Sequence, residues 1–260
     1  KKAASFYTDY YDRVYSKISS SVRPVVHSIA DLRGGAVQEI QEAHGSEPSG
    51  SNVINHYPIV SPSLLASDWA NIRSEMERCT KAGLDHFHID IFDGVFLNSP
   101  MAFTFGPQMV SAMKKVCSDL RAGTLDLHVC VHNPGRFIEP MAQAGGDRFI
   151  YQWEALGTDE MGRVRSYEEH LEAAIEFARK VIASGMKCGV SINPSTPIAD
   201  ILPLLETDLI DLIDVLAVEP GFGGQTFQAS VLMKIKMLRQ WRDERLLFEG
   251  MHHCFLIMVD

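Results

Sequence analysis

The chain has 260 residues, a length for one to two domains. Hydrophobic residues make up 46% and charged residues 22%, the balance of a soluble globular protein; the longest purely apolar run, 255–259, is far short of the ~20 residues that span a bilayer, which excludes a transmembrane helix. With 24 basic and 33 acidic side chains the net charge is −9, which excludes a sequence-blind nucleic-acid binder but leaves room for a local pocket for one small anion, since backbone amides hold phosphate without net positive charge.

Residues 1–56 carry six basic and six acidic side chains, so the whole net charge lies on 57–260. Over 6–32, aromatic and aliphatic residues recur at roughly helical spacing (Tyr7, Tyr11, Val14, Ile18), with Pro24 as a break. Asp9 and Asp12 are unlike an acid-poor transit peptide. The stretch 45–52, rich in Gly, Ser and Pro, reads as a linker. We therefore expect a helical arm and linker over 1–56 and a separate domain over 57–260.

After residue 57 short apolar runs alternate with longer amphipathic ones. Strands are expected at 57–63, 86–91, 125–131, 148–153, 187–192, 212–218 and 255–259. Helices are expected at 68–82, 107–121, 134–144, 166–183, from Pro197, and at 229–242. Repeated βα units of this length give parallel strands with right-handed crossovers, and seven in series favour a (β/α)8 barrel over an open doubly wound sheet. The expectation is a barrel lacking its last βα unit: the seventh helix, eighth strand and eighth helix have no counterpart in this sequence. Five cysteines, an odd number with no CxxC pair, argue against a disulfide framework or a zinc ribbon and suit a reducing compartment.

In such a barrel the chemistry sits at the C-terminal ends of the strands. Side chains two apart on a strand share a face, so His88 and Asp90 point the same way at the end of the second expected strand. Asp126 and His128 repeat the arrangement on the third, and Asp260 ends the seventh. Imidazoles and carboxylates converging from three strand ends make a site for a divalent transition metal such as Zn, Fe or Mn. After the sixth strand comes Glu219-Pro-Gly-Phe-Gly-Gly-Gln225, whose glycines let the backbone approach a ligand and turn its N–H groups toward an anion. Pro194-Ser-Thr-Pro197 reads as a helix start, and His132, His170, His252 and His253 as core or surface histidines.

Six segments carry a resemblance: Ser61-Pro-Ser63-Leu-Leu-Ala-Ser-Asp68, His88-Ile-Asp-Ile-Phe-Asp-Gly94-Val-Phe96, Phe103-Thr-Phe-Gly-Pro107, Leu127-His-Val-Cys-Val131, Ile192-Asn-Pro-Ser-Thr-Pro197 and Val218-Glu-Pro-Gly-Phe-Gly-Gly-Gln225. In order and spacing these resemble the ribulose-phosphate 3-epimerase family from about residue 57 to 242, and again, thinly, at Leu256-Ile-Met-Val-Asp260; the resemblance does not reach residues 1–56. It implies a metal-dependent (β/α)8 enzyme that inverts C3 of D-ribulose 5-phosphate to give D-xylulose 5-phosphate. On the matching positions His88, Asp90, His128 and Asp260 hold the metal, and Asp90 and Asp260 form the acid/base pair. Ser63 and His128 lie against the substrate oxygens, and Gly221, Phe222, Gly223 and Gly224 give backbone contacts to its phosphate.

The sequence departs from that pattern in places. Phe92, Cys130 and Leu216 stand where the family usually has methionine, Gln152 replaces a histidine, and the turn 94–106 is longer than the common form. A hexulose-phosphate such as allulose 6-phosphate is therefore an alternative substrate, and a degenerate, non-catalytic barrel serving as a binding module is an alternative of another class. The expected partner is a small phosphorylated ketose, with neither nucleic acid nor membrane, and the assembly a homo-oligomer. The expected compartment is the cytoplasm, with an organelle left open because the sequence opens Lys1-Lys2 without an initiator Met.

Overall fold

Six of the seven expected apolar runs form strands: β1 (Phe87–Phe92), β2 (Leu125–Cys130), β3 (Arg148–Gln152), β4 (Lys187–Ile192), β5 (Leu212–Val215) and β6 (Leu256–Val259). They pair in parallel in one sheet whose spatial order is their chain order. This computed structural model describes residues 59–84, 86–121, 123–248 and 255–260; the expected arm and linker over 1–56, and His252 and His253, lie outside the described residues. The helices are α1 (Ile72–Lys81), which precedes β1, and, between successive strands, α2 (Pro107–Leu120), α3 (Ile138–Ala144), α4 (Tyr167–Ala183), α5 (Leu202–Leu205) and α6 (Val231–Phe248). The result is a partial (β/α)8 barrel. Among the described residues no helix is long and apolar enough to cross a membrane.

The boundaries follow local chemistry. Asp68 accepts a hydrogen bond from the Ala70 amide at 3.0 Å and so starts the 3-10 turn that leads into α1. Pro107 occupies the first turn of α2, where its missing N–H costs nothing. At α4, Ser166 and Glu169 exchange side-chain and backbone hydrogen bonds (3.2 and 2.8 Å), a reciprocal cap that satisfies two donors at once. β1, β2 and β3 are buried along their whole length, as strands of a parallel sheet covered on both faces must be.

The first expected strand is a correction. Within its described part the pairing reduces to a single bridge between Ser63 and His88, held by His88 N–H to Pro62 O and Leu64 N–H to His88 O, both 3.0 Å. Pro62 has no N–H to give to a ladder, and Ile59 and Val60 are exposed. The run expected at 212–218 is shorter as a strand, ending at Val215.

Arg148, the first residue of β3, is buried in the sheet interior. Its guanidinium donates to Asp126 on β2 and, through Nε and Nη2 at 2.8 and 2.6 Å, to Asp211. Removing the cation would strand the Asp126 carboxylate, 2% exposed, in a low-dielectric interior. Arg148→Met is therefore expected to cost about 3–5 kcal/mol in urea unfolding at neutral pH, with much of the loss recovered when Asp126→Leu is added.

Candidate metal centre

His88 and Asp90 alternate with outward-facing Phe87, Ile89 and Ile91 on β1, and the register sets Asp90 beside His128 of β2. Asp260 follows directly on β6, where its amide hydrogen-bonds to Val215 O at 3.3 Å. One ligand atom from each of His88, Asp90, His128 and Asp260 lies within 4.8 Å of all the others. In a flat sheet the two outermost of six strands would stand about 24 Å apart, five strand spacings. The sheet is instead curled so far that side chains from its first strand and from the end of its last meet across the interior. Of the five residues that strand spacing nominated, the four that the family resemblance assigns to a metal come together.

The separations inside the cluster are loose for hydrogen bonds. His88 Nε2 stands 3.5 Å from Asp90 Oδ1 and 3.5 Å from Asp260 Oδ2, and His128 Nδ1 stands 3.3 Å from Asp90 Oδ1. Both ring nitrogens of His88 are buried without a hydrogen-bond partner. Buried polar atoms are rarely left so, and two imidazoles with two carboxylates form a donor set that suits zinc, iron or manganese. The cluster fits a divalent cation.

Burial by itself pushes the His88 imidazole down, but the carboxylates of Asp90, Asp260 and Asp214 outweigh it and carry its pKa up to about 10. Burial likewise opposes ionisation of Asp90, and the two imidazoles overcome it, holding the carboxyl well below its ordinary range. Ser63 Oγ donates to Asp90 Oδ2 at 2.5 Å, so one carboxylate oxygen is held by the hydroxyl while the other faces both histidines.

Asp126, expected beside His128, is not part of the cluster. Two residues along a strand is about 6.6 Å, and at that lower level Asp126 meets Arg148 instead. His132 is exposed; His170 stacks on Trp153, ring centroids 4.0 Å apart, and bonds its carbonyl oxygen at 2.9 Å, so both lie outside the site as expected. Cys130 and Phe92 are buried together under Leu65, Phe96 and Leu97, an apolar wall beside His128.

Three residues were missed by sequence reasoning. Asp214 of β5, fully buried, accepts from Ser191 Oγ at 2.8 Å through one oxygen and has no partner for the other. Its signal was present: it is a lone carboxylate in an apolar strand, on the face opposite to that of Ile213 and Val215. Gln152, noted only as a departure, bonds His128 Nε2 through its Oε1 at 2.9 Å. Glu154 in turn accepts from Gln152 Nε2 at 2.7 Å.

The Gly-rich segment lies on the same C-terminal side of the sheet. Gly221 has φ +128, and a Cβ there would stand 3.1 Å from Leu97 Cδ1, so only glycine lets this loop pass the turn after β1. Phe222, Gly223 and Gly224 are exposed, and among the described residues their amides donate no backbone hydrogen bond. Gln225 Nε2 pins the loop by donating to Glu219 O and Phe222 O at 2.6 and 2.8 Å.

Burial and the nearby Asp260 carboxylate raise the pKa of Asp214 to about 6. A carboxyl whose pKa is higher folded than unfolded costs nothing below the unfolded value and costs its full amount above the folded one. Asp214→Asn is therefore expected to stabilise the metal-free protein at pH 7.5, by on the order of 1–3 kcal/mol, and to have little effect at pH 4, measured by denaturant unfolding at both.

Residues 59–252 match the model of the ribulose-phosphate 3 epimerase family. The chain is 33% identical over 182 residues to the cytoplasmic isoform of ribulose-phosphate 3-epimerase from Oryza sativa subsp. japonica, covering 70% of this chain and 71% of that protein. It is 36% identical over 186 residues to ribulose-phosphate 3-epimerase of Bacillus subtilis (72% and 75%), and 35% identical over 181 residues to that of Schizosaccharomyces pombe (70% of each). The sequence motifs, the parallel barrel strands and the convergent His/Asp cluster agree with these matches: the chain belongs to the ribulose-phosphate 3-epimerase family.

Proposed function

We propose that this protein inverts C3 of D-ribulose 5-phosphate to give D-xylulose 5-phosphate, an isomerase of pentose phosphate metabolism. The observation that carries this reading is the approach of Asp90 and Asp260, on different strands, to the same pair of buried imidazoles.

The C3 proton of the substrate lies next to a ketone, so its removal gives a planar enediolate. Inversion requires one group to take that proton and a second to return a proton from the opposite face; one carboxylate alone would put it back where it was. Asp90 and Asp260 are assigned these two roles. Ser63, bonded to Asp90 Oδ2, fixes the orientation of that carboxylate. His88, Asp90, His128 and Asp260 are the residues that would hold a divalent cation, which when bound supplies positive charge for the developing enediolate oxygens. The open amides of Phe222, Gly223 and Gly224 are assigned to the phosphate, with Gly221 making the turn that presents them.

The catalytic unit is assigned to 57–260, with 1–56 an appended arm. The described cysteines Cys79, Cys117, Cys130 and Cys188 are free, which supports a compartment that keeps thiols reduced, such as the cytoplasm. The relatives above are named for the pentose reaction, and no observation favours a hexulose phosphate or a non-catalytic module over it.

With zinc, iron or manganese supplied, the native protein is expected to interconvert the two pentulose phosphates and to wash solvent deuterium into C3. Asp260→Asn is expected to lower kcat by at least about 10²-fold, the usual worth of one acid/base group. Failure of the native protein to exchange the C3 proton with any of the three metals would overturn the assignment.

A further inference from the structure

His128 is held at both ring nitrogens by chemically different neighbours. Nδ1 faces Asp90 Oδ1 at 3.3 Å, inside the four-residue cluster. Nε2 points away from it, to Gln152 Oε1 at 2.9 Å. Gln152 is fully buried, and its amide can be placed in only one way. Its Nε2 donates to Glu154 Oε2 at 2.7 Å and to Asn193 Oδ1 at 2.8 Å. An ionised carboxylate only accepts, so the NH2 end must face Glu154 and the oxygen must face the histidine. The oxygen in turn only accepts, so His128 Nε2 must carry the hydrogen.

The anchor is itself braced. Glu154 Oε1 accepts from the Asn193 amide at 3.1 Å and from the Thr196 hydroxyl. Lys234 Nζ on α6 donates to the carbonyls of Asn193, Pro194 and Thr196. Together these bonds run from the imidazole through β3 and the segment after β4 to α6, and they leave Glu154 no freedom to turn.

We propose that Gln152, oriented by Glu154, is a positioning residue that fixes His128 in the Nε2–H tautomer and so commits Nδ1, and not Nε2, to the cation. The inference rests on the reading of the His/Asp cluster as a metal site, and it assigns a role to a residue that the acid/base chemistry does not use. An oriented hydrogen-bond acceptor behind a metal-binding imidazole fixes the ring and raises its basicity.

The test uses the full chain with isotopically labelled histidine nitrogens and zinc or a spin-active cadmium isotope as the probe. In the native protein the metal coupling is expected on Nδ1 of His128 and a slowly exchanging proton on its Nε2. Gln152→Leu keeps the side-chain volume and removes the acceptor. It should weaken zinc binding, measured by chelator competition, by about 10–100-fold, with loss of the protected Nε2 proton. The exchanged pair Gln152→Glu with Glu154→Gln restores an acceptor toward His128 and a donor behind it, and is expected to recover most of the affinity; a merely structural loss would not be rescued this way. Metal coupling on Nε2 in the native protein, or a Gln152→Leu affinity within about threefold of native, overturns the proposal while leaving the metal site standing. Absence of stoichiometric zinc in the native protein overturns the metal reading itself, and is seen before any variant is made.

Discussion

Charge inside the curled sheet has to be balanced, and that constraint organises the protein. A buried ion costs several kcal/mol unless partners repay it. At the lower level the balance is made within the chain: Arg148 stands between Asp126 and Asp211, and Lys187 Nζ lies 3.4 Å from Asp211 Oδ1. At the upper level it is not complete. Three carboxylates, Asp90, Asp214 and Asp260, face two imidazoles, and the unpartnered nitrogens of His88 lie in the middle. In the metal-free chain the imbalance is met by protons on the histidines and in part on Asp214. The same arrangement offers a divalent cation the charge and the donors that it needs, so structure below and chemistry above are two answers to one electrostatic problem.

Much of this could be read from the sequence, because parallel strands buried on both faces and amphipathic helices leave strong period-2 and 3.6-residue patterns. The His88-x-Asp90 pair, His128 and Asp260 were legible because strand alternation fixes which side chains share a face. Height along the strand was not. Alternation puts Asp126 and His128 on the same side but says nothing of which level holds the compensating cation, and Arg148 decides that. The first expected strand failed for another reason: hydrophobicity of 57–63 was legible, but Pro62 removes a ladder donor, and pairing stops at one bridge. Gln152 and Glu154 were invisible as functional residues, since an amide becomes a tautomer lock only through partners far away in the chain, Asn193 and Thr196.

The turn after β1 shows how the rim is kept still above this buried charge. Thr104 Oγ1 donates to Asp90 O at 2.6 Å and accepts from the Phe92 amide at 2.9 Å, so the far end of the turn is stitched to the strand that bears His88 and Asp90. Asp93 caps the near end through the amides of Val95 and Phe96, both at 2.9 Å, and reaches across to the His132 amide after β2 at 2.7 Å. Leu97 then sits against Gly221. The extra length of this turn is thus spent on anchoring as well as on covering, and the Gly-rich loop at Gly221 is positioned by contact with it.

The meeting of β1 with β6 has a bearing on how the polypeptide reaches its native state. No subset of the earlier strands contains the complete donor set, since it unites a parallel neighbour pair, β1 and β2, with a carboxylate contributed after the sixth strand. A nascent or half-assembled sheet presents only the β1–β2 half of the pocket. Any ligand that engages both halves binds the fully curled sheet and not its precursors, so its binding free energy offsets the loop-closure entropy of bringing distant parts of the chain together. The His/Asp centre thereby doubles as a clasp.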